Sequence, residues 1–201
     1  RSPSRGLGDV YKRQASNAVT TTLPAGNNLA DNQAIVIDTT AAGITNITST
    51  SPGDGTYTNP QVIDIIVTFS ENVTTSSSSL TLDTGATASY QSGSGTSAIV
   101  YRYTVADGEN SSDLNVSSVT AGDAVDGSSN PINTALPAGQ NLSDNQAIVI
   151  DTTEATISSI TSTTPGDGTY TNPQVIDIIV TYSEAVTTSS SSLTLDTGAT
   201  A

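Results

Sequence analysis

The chain of 201 residues contains no cysteine, histidine, methionine or tryptophan, and lysine occurs once, at Lys12. Each absence removes a class of chemistry. Without a thiol or an imidazole, the chain holds no Cys-His or Ser-His-Asp nucleophile system, no thiolate or imidazole zinc site and no disulfide framework. Basic residues are scarce as well: five Lys and Arg stand against nineteen Asp and Glu, a net charge of -14 at pH 7. Such a surface repels a phosphate backbone and an anionic membrane and attracts cations, so nucleic acid is not an expected partner. No run approaches the roughly 18 consecutive apolar residues of a membrane span, and no direct membrane insertion is expected. Glu and Lys, the usual coat of helices, number five together, and no helix is expected.

What the sequence has instead is small hydroxyls, 29 Ser and 34 Thr, with many Val and Ile. Thr, Val and Ile suit the pleated, half-buried surface of strands, so the composition reads as all-β. The length allows one or two domains. The opening RSPSRGLGDVYKRQ stands apart, since it holds Arg1, Arg5, Lys12 and Arg13, four of the five basic residues. Residues 1–14 resemble translated adapter or vector sequence and are expected to be disordered and outside the fold, with a basic nucleic-acid-binding arm as the alternative. Residues 15–201 then keep Arg102 alone against eighteen carboxylates.

A tandem repeat organises this remainder. LPAGNNLADNQAIVIDTT from Leu23 returns as LPAGQNLSDNQAIVIDTT from Leu136, and 57 of 66 positions match from Leu23/Leu136 to Ala88/Ala201. The chain therefore reads as the tail of a preceding repeat (15–38), one complete repeat (39–151) and the truncated head of the next (152–201), a piece of a longer array. Period-2 alternation marks the strands: Ile63, Ile65, Val67 and Phe69 share one face of VIDIIVTFS, Leu80 and Leu82 alternate with Thr81 and Asp83, and Ile99, Tyr101, Tyr103 and Val105 alternate with Arg102 and Thr104. Turn signals at PGDGTYTNP, GSGT and ADGENSS separate them, and the Ser76 to Ser79 run reads as a flexible loop, with O-glycosylation a minor second reading. Seven or eight short strands in about a hundred residues suggest a Greek-key β-sandwich.

The succession IDTT, DGTY, VIDIIVTFSE, SLTLDTGATASYQSGSGTSAIVYRYTV and NQAIVID resembles the bacterial Ig-like repeats of large surface adhesins, over residues 15–201. One departure is the linker, where such repeats often carry Pro and this chain has Gly43 and Thr156. The resemblance implies a cell-surface or extracellular stalk of stacked sandwiches, often stiffened by calcium at the junctions, whose immediate partners are neighbouring repeats of the same chain.

The candidate ligands for such an ion are Asp38 with Glu71 at the first junction and Asp151 with Glu184 at the second, because each Asp ends a repeat and each Glu follows a strand expected to run back toward it. Asp54 and Asp107, in turns expected near Asp151, complete the set. A mixed shell of carboxylates, carbonyls and water suits calcium. The plainer reading of each is a solvated acid or, for PGDGTY, a tight turn whose Tyr packs over the sandwich edge. Three functions follow in order: a non-catalytic spacer module of an adhesin, a carbohydrate- or other ligand-binding sandwich, and a glycosidase with paired carboxylates. The second wants exposed aromatic platforms, yet residues 15–201 have one Phe, no Trp and Tyr mostly at strand or turn positions that look internal. The third fits poorly with carboxylates duplicated along the chain.

Overall fold

The computed structural model describes residues 21–200, so the reading of residues 1–14 lies outside the described residues. The chain divides into two units, residues 1–39 and 40–201. In the first, the described residues carry one helical turn, Leu29–Asn32. The second carries the strands β1 (Ile44–Ser51), β2 (Gly55–Tyr57), β3 (Val62–Thr74), β4 (Ser79–Leu82), β5 (Thr87–Ser92), β6 (Thr96–Thr104), β7 (Val116–Thr120), β8 (Val125–Asp126), β9 (Ile148–Ile150), β10 (Ile157–Thr164) and β11 (Asp177–Tyr182). The molecule is all-β in its main architecture.

The alternation read in β3 fixes its register, because a slip by one residue would turn every Ile and Val from core to solvent. Ile63 lies opposite Tyr103, Ile65 opposite Tyr101 and Val67 opposite Ile99 on β6, and all six are at most 1 % exposed. β1 pairs the other edge of β3, with Ile47 opposite Val67. The antiparallel sheet continues in the order β1-β3-β6-β5-β4-β7, with β8 added at the end of β3. It curls, so that Leu80 and Leu82 of β4, Leu114 and Ile148 join Ile47, Ile65 and Tyr101 in one core. Each fully buried Ile or Leu contributes about 1.5–3 kcal/mol over an exposed one. The second and last strands of this repeat, β2 and β9, meet in parallel: Gly55 pairs Ile148, Thr56 pairs Val149 and Tyr57 pairs Ile150. Ser111 bridges Ile150 on its other side.

Two expectations need correction. Helix is present, as the turns Leu29–Asn32 and Leu142–Asn145. Each is stopped after four residues but well capped: Asn28 and Asn141 accept from the following amide, while Asp31 and Asp144 reach back to the cap N–H at 2.9 Å. This reciprocal box satisfies donors that a short turn otherwise leaves bare, which composition alone does not reveal. The serine run is also ordered. Thr75 Oγ1, Ser76 N, Ser76 Oγ and Ser77 N all donate to the Asp123 carboxylate, at 2.6–3.1 Å. A carboxylate with that many donors converts a polar loop into a fixed corner.

In the second copy, β10 and β11 form a separate two-stranded sheet. Their register repeats that of β1 and β3 at five of its six pairs: Ile157 faces Tyr182 as Ile44 faces Phe69, and Ile160 faces Val180 as Ile47 faces Val67.

Candidate metal centre

Glu71 sits near the end of β3, where β8 adds to the same strand with Val73 opposite Asp126. Residues two apart on a strand share a face, so Glu71 and Asp126 become diagonal neighbours. Their carboxylates each offer an oxygen within 4.8 Å of the other. Glu71 is half-buried and Asp126 is 3 % exposed. Burial pushes the Asp126 carboxyl up, but donation by Asn130 Nδ2 at 2.9 Å and by the backbone N–H groups of Asn130 and Ser128 outweighs it and holds the group below the usual carboxylate range. Asp126 is therefore ionised at neutral pH beside a second acid.

Arg102 is the only basic residue of residues 15–201. It lies across the sheet from Asp64 and is engaged there in a two-pronged pair, Nε to Oδ1 and Nη2 to Oδ2, both at 2.8 Å. That hydrogen bonding lowers the Asp64 carboxyl below its ordinary value.

The other predicted ligands are distributed differently. Asp38 belongs to the first unit, two residues before the second begins, and is half-buried. Asp54 accepts from Ala147 N at 3.0 Å, beside the Ile148 end of the β2–β9 pairing. Asp151, whose N–H donates to Tyr57 O, lies past the opposite end. Three paired residues separate the two, about 10 Å at the rise of a strand, so Asp54 and Asp151 are not brought together. Asp107 accepts from Asn59 Nδ2 at 2.7 Å, and its neighbour Gly108 donates to Thr152 Oγ1 at 3.0 Å, which puts the loop beside the residue that follows Asp151. Asp151 Oδ1 itself accepts from Thr153 N at 3.0 Å. Glu184 is exposed and follows Ser183, whose N–H donates to Thr156 O in the linker.

Asp126 is the residue that sequence reasoning missed. Its local signal, an Asp followed by Gly-Ser-Ser-Asn, reads as a side-chain-capped turn. Its meeting with Glu71, 55 positions earlier in the chain, is a product of sheet pairing. Asp123 was missed likewise. Donation from the Ser76 hydroxyl, then from the Ser76 and Ser77 amides and the Thr75 hydroxyl, drives its carboxyl far below the usual range.

Several acids thus serve as acceptors for loop backbone. Asp83 takes Ser111 Oγ at 2.6 Å and Asn115 N at 3.1 Å; Glu109 takes Tyr103 Oη at 2.7 Å and Ala106 N at 2.8 Å. The Tyr103 hydroxyl is pushed up strongly by burial and then by Glu109, so it stays protonated and donating. Tyr57 packs against the core and donates to Gly53 O at 2.6 Å, closing the PGDGTY turn on itself. Phe69, Tyr101 and Tyr103 are buried, which removes them as stacking platforms. No helix among the described residues is long and apolar enough to cross a membrane. Comparison of the chain with protein-family models, with curated proteins and with solved structures gives no match.

Proposed function

We propose that this chain is a non-catalytic spacer module of an extracellular or bacterial surface adhesin, built from Ig-like Greek-key repeats. One observation carries the reading: the same sequence returns after a shift that spans a whole sheet-forming unit, and both copies adopt the same β1–β3 type hairpin in the same register. A repeated structural unit whose acids hold loops in place supplies length and rigidity rather than turnover. The strand order favours the Ig-like arrangement, since β1-β3-β6-β5 corresponds to one sheet of such a sandwich and the β4–β7 pair to part of the other. The buried aromatics favour this function over a carbohydrate-binding one.

Calcium at the junction is part of the same proposal. Glu71 and Asp126 supply two hard oxygen donors within 4.8 Å of each other. Calcium takes six to eight oxygens at about 2.3–2.6 Å, so carbonyls and water complete the shell, whereas the tighter octahedron of magnesium fits two or three carboxylates less well. In such a site the ion replaces carboxylate repulsion with attraction and fixes the approach of one repeat to the next.

The test uses arrays of two, three and four complete repeats, studied by small-angle scattering and titration calorimetry with calcium or with chelator. The expected result is a maximum dimension that grows in proportion to repeat number, and heat of calcium binding that Glu71→Gln and Asp126→Asn each abolish. A dimension that fails to grow with repeat number overturns the spacer reading. Unchanged heat in both variants removes the ion from it.

A further inference from the structure

The segment that leaves the complete repeat is tied down as it goes. Asp151 N donates to Tyr57 O at 3.0 Å, so the chain stays attached to the β2–β9 pair for one residue beyond it. Thr152 is then gripped by the ADGEN loop, residues 106–110. Gly108 N donates to the Thr152 hydroxyl at 3.0 Å, that hydroxyl donates to Glu109 O at 2.9 Å, and Thr152 N donates to Asn110 Oδ1 at 2.9 Å. The loop is itself pinned, because Glu109 collects the buried Tyr103 hydroxyl and Ala106 N while Asp107 takes Asn59 Nδ2. Thr153 follows, with its N–H donating to Asp151 Oδ1 and its hydroxyl to Asn110 Oδ1. The opposite end of the complete repeat shows how an entering segment is held. Thr40 O accepts from Asn130 Nδ2 at 3.4 Å, Ala42 is buried with its carbonyl accepting from Asn133 N at 2.9 Å, and Gly43 exchanges two bonds with Ser70.

We propose that consecutive repeats are joined by a linker hydrogen-bonded to both of them, a joint whose direction is fixed without an ion. Residues 38–43 and 151–156 are equivalent in the repeat, so the two observed grips fall on one linker. The preceding repeat holds 151, 152 and 153. The following repeat holds the equivalents of 40, 42 and 43, which are 153, 155 and 156. The last of these holds is already seen at the second copy, where Thr156 N donates to Ser183 Oγ at 2.9 Å and Ser183 N donates to Thr156 O at 2.8 Å. Thr153 is the overlap, with its N–H and hydroxyl turned to one repeat and its carbonyl to the next. Among the described residues, Glu154 and its equivalent Ala41 are the only linker positions without such a bond. A free polar linker of six residues lets its ends sample a broad range of separations and directions. A grip from both sides removes that freedom residue by residue. Thr152 is the positioning residue, since one hydroxyl both donates to and accepts from the ADGEN loop. The inference rests on the repeat and on hydrogen bonds of the complete unit, and not on calcium or on the spacer reading.

The experiment has two parts, both begun in chelator. In the full chain, amide exchange followed by NMR is expected to be as slow at Thr152 as at Ile150, whose N–H donates to Ser111 O at 2.8 Å in the same end of the sandwich. Thr152→Val keeps the side-chain shape and removes the hydroxyl; combined with Asn110→Ala, it is expected to quicken exchange at Thr152 and Thr153 by about tenfold or more, with Ile150 and the circular dichroism midpoint as in the parent. In the full chain continued by residues 89–151, which completes the second repeat, spin labels are placed on Ser118→Cys and on the same position of the next repeat, in a sequence with no other cysteine. Electron–electron resonance is expected to give one narrow distance that calcium leaves unchanged and the double variant broadens. Exchange at the free-chain rate at Thr152 in the parent overturns the proposal. So does a broad distance distribution that narrows only with calcium, which would make the ion the stiffener, or a double variant that behaves as the parent in both measurements. Failure of the spacer reading is seen separately, in maximum dimension against repeat number.

Discussion

Ile148 and Ile35 occupy the same place in the repeat, within nearly the same fifteen residues, yet Ile148 is fully buried in a strand and Ile35 is 62 % exposed with no strand around it. The helical turn between them and the preceding Leu is present in both copies, with the same Asn cap and the same returning Asp. The pair separates what a segment does by itself from what it does only with a partner. A capped turn closes its hydrogen bonds within five residues, so it forms wherever its sequence occurs. A strand leaves every second backbone group pointing sideways, so it exists only where a neighbour supplies the other half. The same contrast recurs at the other end, where Gly55–Tyr57 is a strand beside β9 and Gly168–Tyr170 is not, although Tyr170 still donates to Gly166 O as Tyr57 does to Gly53 O.

The comparison is tested most severely at Ile47 and its equivalent. Ile47→Ala is expected to cost about 2–5 kcal/mol in urea unfolding followed by circular dichroism, because it empties a fully covered site. Ile160→Ala, measured where the chain is monomeric, is expected to change stability by less than about 0.5 kcal/mol. Equal costs at the two sites would mean that the second copy is as closed as the first.

Gly122 offers a smaller effect with a geometric cause. Its φ is +57°, and an added Cβ would stand 2.7 Å from Ser77 O, within the Asp123 corner. Gly122→Ala is expected to lower stability by about 1–3 kcal/mol, from backbone strain and a clash with the main chain. An unchanged midpoint would show that the serine loop yields readily.

Next come the caps. Asn141→Ala removes a cap on a turn whose Leu142 is buried, and its Nδ2 also donates to Val116 O at 2.9 Å, so a loss of about 0.5–2 kcal/mol is expected. Asn28→Ala, the same change in the unburied copy, is expected to leave the unfolding midpoint unmoved while amide exchange at Asp31 and Asn32 quickens. A shift in the midpoint for Asn28→Ala would show that residues 23–37 are docked within the same molecule.

The smallest effect is local and pH-dependent. Asp123 and Asp126 lie below their ordinary value in the folded protein, so their contribution is complete above the unfolded Asp value of about 3.9 and is lost as the pH falls below it through the folded values. Asp123→Asn is expected to make the acid limb of the stability curve shallower and to quicken amide exchange at Ser76 and Ser77. In the second copy Thr188 and Ser191, the equivalents of buried Thr75 and Ser78, are exposed, and exchange in that loop is expected to match the variant rather than the parent. Slow exchange at Ser189 and Ser190 in the parent would break the comparison.

The faces of the strongest strands were legible in advance. Ile63, Ile65, Val67 and Phe69, with Ile99, Tyr101, Tyr103 and Val105, are all buried as their alternation requires, because a period of two admits only one arrangement over a single core. The helical turns were illegible to a composition argument, though Asn28-Leu29-Ala30-Asp31 carried their signal as a cap followed three residues later by an acid. Two candidate ligands, Asp38 and Glu71, were named together from the expected order of strands. Asp126 was not, since its place beside Glu71 follows from a two-residue strand too short to show any pattern. The Ser76 loop was misread for a similar reason: its order comes from Asp123, 47 positions later, and a hydroxyl-rich run looks the same whether or not a carboxylate arrives to collect its donors.

By itself, then, the sequence determined the properties that close within a few residues or repeat along a strand: the caps, the tyrosine-closed turns, the two faces of β3 and β6, and the repeat that sets the unit. Tertiary structure decided which copy of an identical segment becomes a strand, which acids meet, and which of two equivalent isoleucines is covered. The physical reason is that a strand's hydrogen bonds and a core's exclusion of water both need a second surface, and identical residues acquire different structures when only one of them is given that surface.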